Sequence, residues 1–256
     1  MPLFRQQSIA VAQRILVEYL RQRRALVFWA AFPALMLVLF AAMYGNNPLM
    51  RPAFDATPAG ILIGAGLFFS CLGGAVALVV TERERGTLRR LLASPLGAGA
   101  YFCGVVLALA AIALAQTLIV FTLGALLGAA YRGSVLLGAA IIAATVLGYA
   151  GMGFLFAARF TRRAEDLNGP IAGFGVPLLV LGGTFFPIEL FPDALVALAH
   201  ANPVFHMNEA LKGVAGRGLG WAELSGHLLF IAAFGALALQ LGAGAYRRML
   251  IEERRA

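Results

Sequence analysis

The sequence predicts an all-α polytopic membrane protein. It would have six transmembrane helices, a cytoplasmic amphipathic helix ahead of them, and re-entrant outer helices between spans 5 and 6. Three observations lead there. The 256 residues are 61% hydrophobic and only 12% charged, where a soluble domain carries about 25% charged residues. The apolar runs are long: neither 60–80 nor 101–131 holds a charged residue, and about 18 apolar residues in a row read as a membrane span. The basic residues also gather on one side of those runs. A transmembrane β-barrel would show alternating segments of ~10 residues instead.

Residues 1–24 come first. Ile9, Ala12, Ile15, Leu16, Tyr19 and Leu20 recur at helical spacing, with Arg14, Glu18 and Arg21 on the other side. Such a basic amphipathic helix suits the cytoplasmic membrane surface. Residues 25–256 then form the transmembrane domain. The first span, 25–44, covers ~30 Å, one hydrocarbon core, and Pro33 should kink it. No A-x-A pattern follows it, so it reads as a span and not as a cleavable signal peptide. The next spans are 60–80, 102–129, 135–158, 170–186 and 228–246. The third is long enough to tilt and the fifth is short. Segment 184–212 is apolar but interrupted by Pro187, Pro192 and Pro203. Irregular backbone is tolerated at membrane depth only where protein or a water-filled cavity surrounds it, so short helices re-entering from the outer side are expected.

With the N-terminus inside, sixteen basic residues fall on inner segments and four on outer ones. The inner set is Arg5, Arg14, Arg21, Arg23, Arg24, Arg83, Arg85, Arg89, Arg90, Arg159, Arg162, Arg163, Arg247, Arg248, Arg254 and Arg255; the outer set is Arg51, Arg132, Lys212 and Arg217. This positive-inside bias puts both termini in the cytoplasm and requires an even number of spans. The net charge of +8 is then topological, and nucleic acid is not a partner. Cys71 and Cys103 both lie in apolar runs and read as small buried hydrophobes, not as a disulfide or metal pair.

Two stretches need more than a topology signal. TERERGTLRRLLASP, 81–95, holds four arginines and two glutamates, yet acids contribute little to orientation. It resembles the loop after the second span in permease subunits of the ABC type-2 transporter family, through Glu82, Glu84, Arg85, Gly86, Thr87, Leu88, Leu91, Leu92, Ser94 and Pro95. The stretch 182–212 resembles a second motif of the same family, through Gly183, Phe185, Phe186, Pro187, Ile188, Pro192, Asn202, Pro203, Ala210, Leu211 and Lys212.

The resemblance implies the membrane permease subunit of an ATP-driven exporter in a bacterial inner membrane. Two such permeases, as a homodimer, would form the pathway above two ABC ATP-binding subunits. ATP and Mg would sit on those partners, and this chain would bind no cofactor. The sequence agrees that any motor is separate: no G-x-x-x-x-G-K-[ST] loop is present, and Lys212, the only lysine, follows Leu211. The resemblance makes Glu82, Arg83, Glu84, Arg85, Gly86 and Thr87 the ATPase-coupling residues. A short helix over 82–92 would seat Leu88, Leu91 and Leu92 at the membrane and turn the charges to the motor, where mixed charge sets register and partner choice. Gly86 would let the backbone bend. The plainer reading is a solvated inner loop. Phe185, Phe186, Pro187, Glu189, Asn202 and Pro203 would form an outer gate. Phe28, Phe32, Phe68, Phe69 and Phe174, from the first, second and fifth spans, would line the pathway.

No Asp, Glu, Lys or Arg lies in the middle of an expected span. Ion-coupled carriers usually place one there, so an amphipathic, lipid-like or drug-like substrate is expected, among membrane lipids. Ser70, Gln116, Thr117, Thr122, Thr145, Tyr149 and Gln240 should hydrogen-bond neighbouring helices, and the G-x-x-x-G pairs 60/64, 124/128 and 169/173 mark helix contacts. His200 and His206 lack a third ligand for a metal. Two rival readings stand beside the exporter. An ATP-independent permease or flippase would tolerate charge reversal in 81–95. A membrane enzyme or assembly factor would want an outward-facing His or Cys constellation.

Overall fold

The computed structural model describes residues 2–44, 48–88, 90, 95–160, 168–186 and 188–255. Among them the regular structure is all helix, with no strand. Nine helices carry the architecture: α1 (Pro2–Arg21), α2 (Arg23–Tyr44), α3 (Arg51–Glu84), α4 (Ala98–Leu126), α5 (Val135–Arg159), α6 (Asn168–Leu181), α7 (Asp193–Ala201), α8 (Pro203–Lys212) and α9 (Ser225–Arg255).

Five of these, parts of α2, α3, α4, α5 and α9, are long and apolar enough to cross a membrane. The protein is a multi-pass membrane protein. Among the described residues the expected fifth span, 170–186, does not reach that length. Helix α6 ends at Leu181 after 14 described residues, about 21 Å against a ~30 Å core. Gly183 then turns the chain with φ +68°, so Thr184, Phe185 and Phe186 are not helical.

The expected second span, 60–80, is also redrawn. Helix α3 runs 34 residues, from Arg51 to the last turn before Gly86. Nothing in the sequence stops it sooner. It is the centre of the bundle: Ile61, Leu62, Ile63, Leu67, Cys71, Ala75 and Val79 are all buried, as expected for a helix apolar all round. Its middle, Leu62–Gly73, is wound as a π-helix, a form that is rare and frequent at functional sites. The hydroxyl of Tyr149 on α5 donates to the Ile63 carbonyl there, at 3.4 Å.

Helix α1 is amphipathic, but its buried face is Ser8, Val11, Ala12, Ile15 and Tyr19. Ile9 and Leu20, expected on that face, are exposed. The buried face meets α4, not only a membrane surface. A Cβ placed on Gly104 of α4 would lie 2.6 Å from Val11 and 2.7 Å from the Ser8 carbonyl oxygen. Only a residue without a side chain permits that approach.

Polar side chains inside the bundle tie helices together, as expected in lipid. Ser70 of α3 donates to Gln116 of α4 at 2.7 Å, and the Gln116 amide donates onward to a carbonyl of α2. Two threonines depart from that pattern: Thr117 bonds to Ala113 of its own helix, and the buried Thr145 hydroxyl has no hydrogen-bond partner among the described residues. Of the glycine pairs, Gly60 and Gly64 pack tightly on Lys212 and Thr184, and Gly124 on Pro58. Gly128 instead ends α4 with φ +94°, and a Cβ on Gly173 would meet nothing within 4 Å. Helix α2 stays at the periphery, with Val27, Phe28, Leu35 and Met43 exposed.

Candidate functional site: a charged collar, an aromatic chain and a pinned turn

At one end of the bundle α1, the end of α3, the start of α4 and the end of α9 converge. Glu82 is 6% exposed and accepts from the Arg14 guanidinium of α1 and the Tyr101 hydroxyl of α4. Burial would lower the Arg14 pKa, but the Glu82 charge and hydrogen bond raise it overall. Burial pushes the Tyr19 phenol of α1 up as well, with Glu18 beside it. Arg83 pairs with Glu253 of α9 at 2.5 Å. Tyr246 of α9 stacks on Tyr101, with ring centroids 5.5 Å apart. One buried carboxylate thus holds three helices, and its neighbour holds a fourth.

The chain turns outward beyond this anchor. Arg85 and Gly86 form a turn in which Gly86 adopts φ +67°, a conformation that favours glycine. The Thr87 hydroxyl closes it by donating to the Glu82 carbonyl at 3.0 Å. Glu84 and Arg85 are exposed, and Arg85 stands 3.7 Å from Glu18 of α1. Leu88 is buried at 2% exposure. Leu91, Leu92 and Ser94 lie outside the described residues. Gln7 of α1 donates to the Pro95 carbonyl at 2.9 Å. The expected helix over 82–92 therefore begins as the last turn of α3, and Glu82, expected on an outward face, points into the bundle. Arg14, read from the sequence only as part of the polar side of α1, completes the arrangement with Tyr101, Glu253 and Gln7, which the sequence does not single out, because no local pattern marks a contact 68 or 170 residues away.

Four of the expected pathway residues form one aromatic chain. Phe28, 54% exposed, stacks on Phe32 at 5.7 Å; Phe32 meets Phe69 at 6.0 Å, and Phe69 meets Phe68 at 5.4 Å. Phe68 is buried against Tyr149 at 5.6 Å. The Phe174 side chain lies outside the described set, but a Cβ on the next residue, Gly175, would touch the Phe68 ring at 2.7 Å.

At the opposite end, the turn after α6 is pinned from α8. Asn208 donates to the Gly182 carbonyl at 2.8 Å and to the Thr184 hydroxyl at 2.9 Å, and Lys212 donates to the Gly183 carbonyl. Asn202, one of the expected gate residues, caps α8 by accepting from the Val204 amide at 3.0 Å and donates to the Leu178 carbonyl at 2.7 Å. Pro203 opens α8, where its missing N–H costs nothing. Phe185 is half-buried and Phe186 exposed. Both line a cavity of about 280 Å³ with Phe40, Tyr44, Thr57 and Lys212. Pro187 and the Glu189 side chain lie outside the described residues. His206 sits 2.9 Å from His227, ring nitrogen to ring nitrogen. Among the described residues no three metal-binding side chains cluster.

Both motif regions lie within residues 6–215, which match the family model described as ABC-2 type transporter. The chain belongs to the ABC-2 type transporter family. The match covers well over half of the protein and runs from α1 through α8, leaving α9 beyond it. No curated protein matches the chain significantly. As an ABC-2 permease it is a transport subunit and not a catalytic ATPase domain, and subunits of this family typically pair with an ABC ATP-binding subunit.

Proposed function

We propose that this permease moves an amphipathic, lipid-like or drug-like substrate out across a bacterial inner membrane, driven by ATP hydrolysis on a separate subunit. The observation that carries the reading is the turn at 84–87. It presents Glu84 and Arg85 outward directly after Glu82, which is bonded into the bundle. An exposed mixed-charge knuckle on a fixed base is what a docking motor requires. ATP and Mg belong to that motor, in two copies, below a homodimer of permeases.

In this reading α6 belongs to the fifth of six crossings and α9 is the sixth, so both termini are cytoplasmic, in line with the inner bias of basic residues. Helices α7 and α8, 9 and 10 residues long, re-enter from the outer side and carry the gate. The chain from Phe28 to Phe68, together with Phe174, gives an apolar substrate its surface.

The test is purification of the tagged protein from native membranes in mild detergent, with mass spectrometry of what accompanies it. A soluble P-loop ATPase should be present, and should be lost in a parallel sample carrying Glu84→Arg and Arg85→Glu. No ATPase in either sample would favour the rival reading, a permease or flippase working without ATP.

A further inference from the structure

At the Asp55 end of the bundle, between α3, α4 and α5, lies a cleft of about 430 Å³ walled by Leu114, Leu118, Phe121, Val135, Ile142 and Leu211. Leu114, Leu118 and Val135 are 61%, 60% and 75% exposed, so the cleft opens sideways. The Thr117 hydroxyl on its wall is bonded to Ala113 of its own helix at 2.7 Å, which leaves the wall apolar.

Its length decides what fits. Leu114 and Ala125, both on the wall, are about 16 Å apart along α4, close to the ~15 Å depth of one leaflet of hydrocarbon. A groove of that length, apolar and open to the side, matches a lipid acyl chain lying along it.

A surplus positive charge flanks the cleft where Asp55, Ala129 and Ala130 line it. Asp55 is buried, accepting from the Ala130 amide at 2.9 Å and from Arg132 at 2.7 Å. Arg51, one helical turn before Asp55, donates to the Gly128 carbonyl at 2.5 Å. That acceptor is neutral, so two guanidiniums share one carboxylate. Both arginines are exposed.

We propose that the cleft is a binding site for one anionic phospholipid of the leaflet on this side, with an acyl chain between α4 and α5 and the phosphate at Arg51 and Arg132. The lipid would also touch Leu211 of α8, which joins it to the element that pins the turn at Gly183. The proposal does not depend on ATP coupling.

The experiment is native mass spectrometry of the delipidated, detergent-solubilised protein titrated with dioleoyl phosphatidylglycerol or dioleoyl phosphatidylcholine. A discrete one-to-one phosphatidylglycerol adduct is expected, favoured over phosphatidylcholine. Arg51→Gln should cut that preference about fivefold, the worth of one cation near a headgroup, while the neutral lipid still binds. Ala139→Trp fills the cleft from an exposed position on its wall and should abolish both adducts. A graded ladder of adducts, an unchanged preference in Arg51→Gln, or full binding in Ala139→Trp would each overturn the site.

Discussion

The side-chain amide of Gln116 donates to the main-chain carbonyl of Trp29 at 3.1 Å. That carbonyl is the one a helical N–H at position 33 would have satisfied, and position 33 is proline. In lipid an unpaired carbonyl is expensive, and α4 supplies the missing donor. Gln116→Leu should therefore destabilise the protein by about 1–2 kcal/mol. In a Pro33→Ala background the restored N–H should remove the Trp29 part of that loss and leave only the part due to Ser70, whose hydroxyl also bonds to Gln116. Equal losses in both backgrounds, measured by denaturation in detergent, would refute the compensation.

Gly242 of α9 and Gly151 of α5 meet backbone to backbone. A Cβ on Gly242 would stand 2.3 Å from the Gly151 carbonyl oxygen. Gly242→Val should force the two helices apart and lower the melting temperature sharply. Gly244→Val, two residues along, is the control, because a Cβ there meets nothing within 4 Å.

Glu82→Gln removes the charge that faces Arg14. Breaking a buried pair costs about 3–5 kcal/mol; Arg14 is 39% exposed and solvent screens it, so a smaller loss of about 1–2 kcal/mol is expected. Arg14→Gln added to Glu82→Gln should recover part of the lost stability. The single variant should still retain a partner ATPase in mild detergent, unlike Glu84→Arg with Arg85→Glu, which separates anchoring from docking.

Asn208→Asp exchanges the amide donor facing the Gly182 carbonyl and Thr184 hydroxyl for an acceptor. The turn at 182–184 should loosen and become accessible to protease added from its own side of the membrane, while α5 and α9 remain protected. Limited proteolysis in sealed vesicles reads this directly.

Apolar length and glycine or serine punctuation were enough to find α4 and α5 within four residues at either end, because a lipid-facing helix has no choice of composition. The same reasoning cut α3 short. Its last turn carries Glu82, Arg83 and Glu84, and charges in a window read as loop, whereas here Glu82 and Arg83 are satisfied by α1, α4 and α9. It also extended the fifth span through Gly183, whose left-handed turn is invisible to hydropathy. The aromatic chain came together from residues 28 to 69 because regular helices hold their faces in register. Long-range partners such as Arg14 and Tyr101 carry no comparable periodic signature.

The anchored end of α3 gives the molecule a lever. The 34 residues of α3 span about 50 Å, clamped at Glu82 and Arg83 by three neighbours and reaching the cavity wall at Ala53 and Thr57. If the clamp pivots as a unit, a tilt of roughly five degrees swings the Arg51 end by about 4 Å along an arc of that radius. On the proposed docking of a motor at Glu84 and Arg85, a small angular impulse there would become a displacement of the cavity wall that Ala53 and Thr57 share with Phe185 and Phe186.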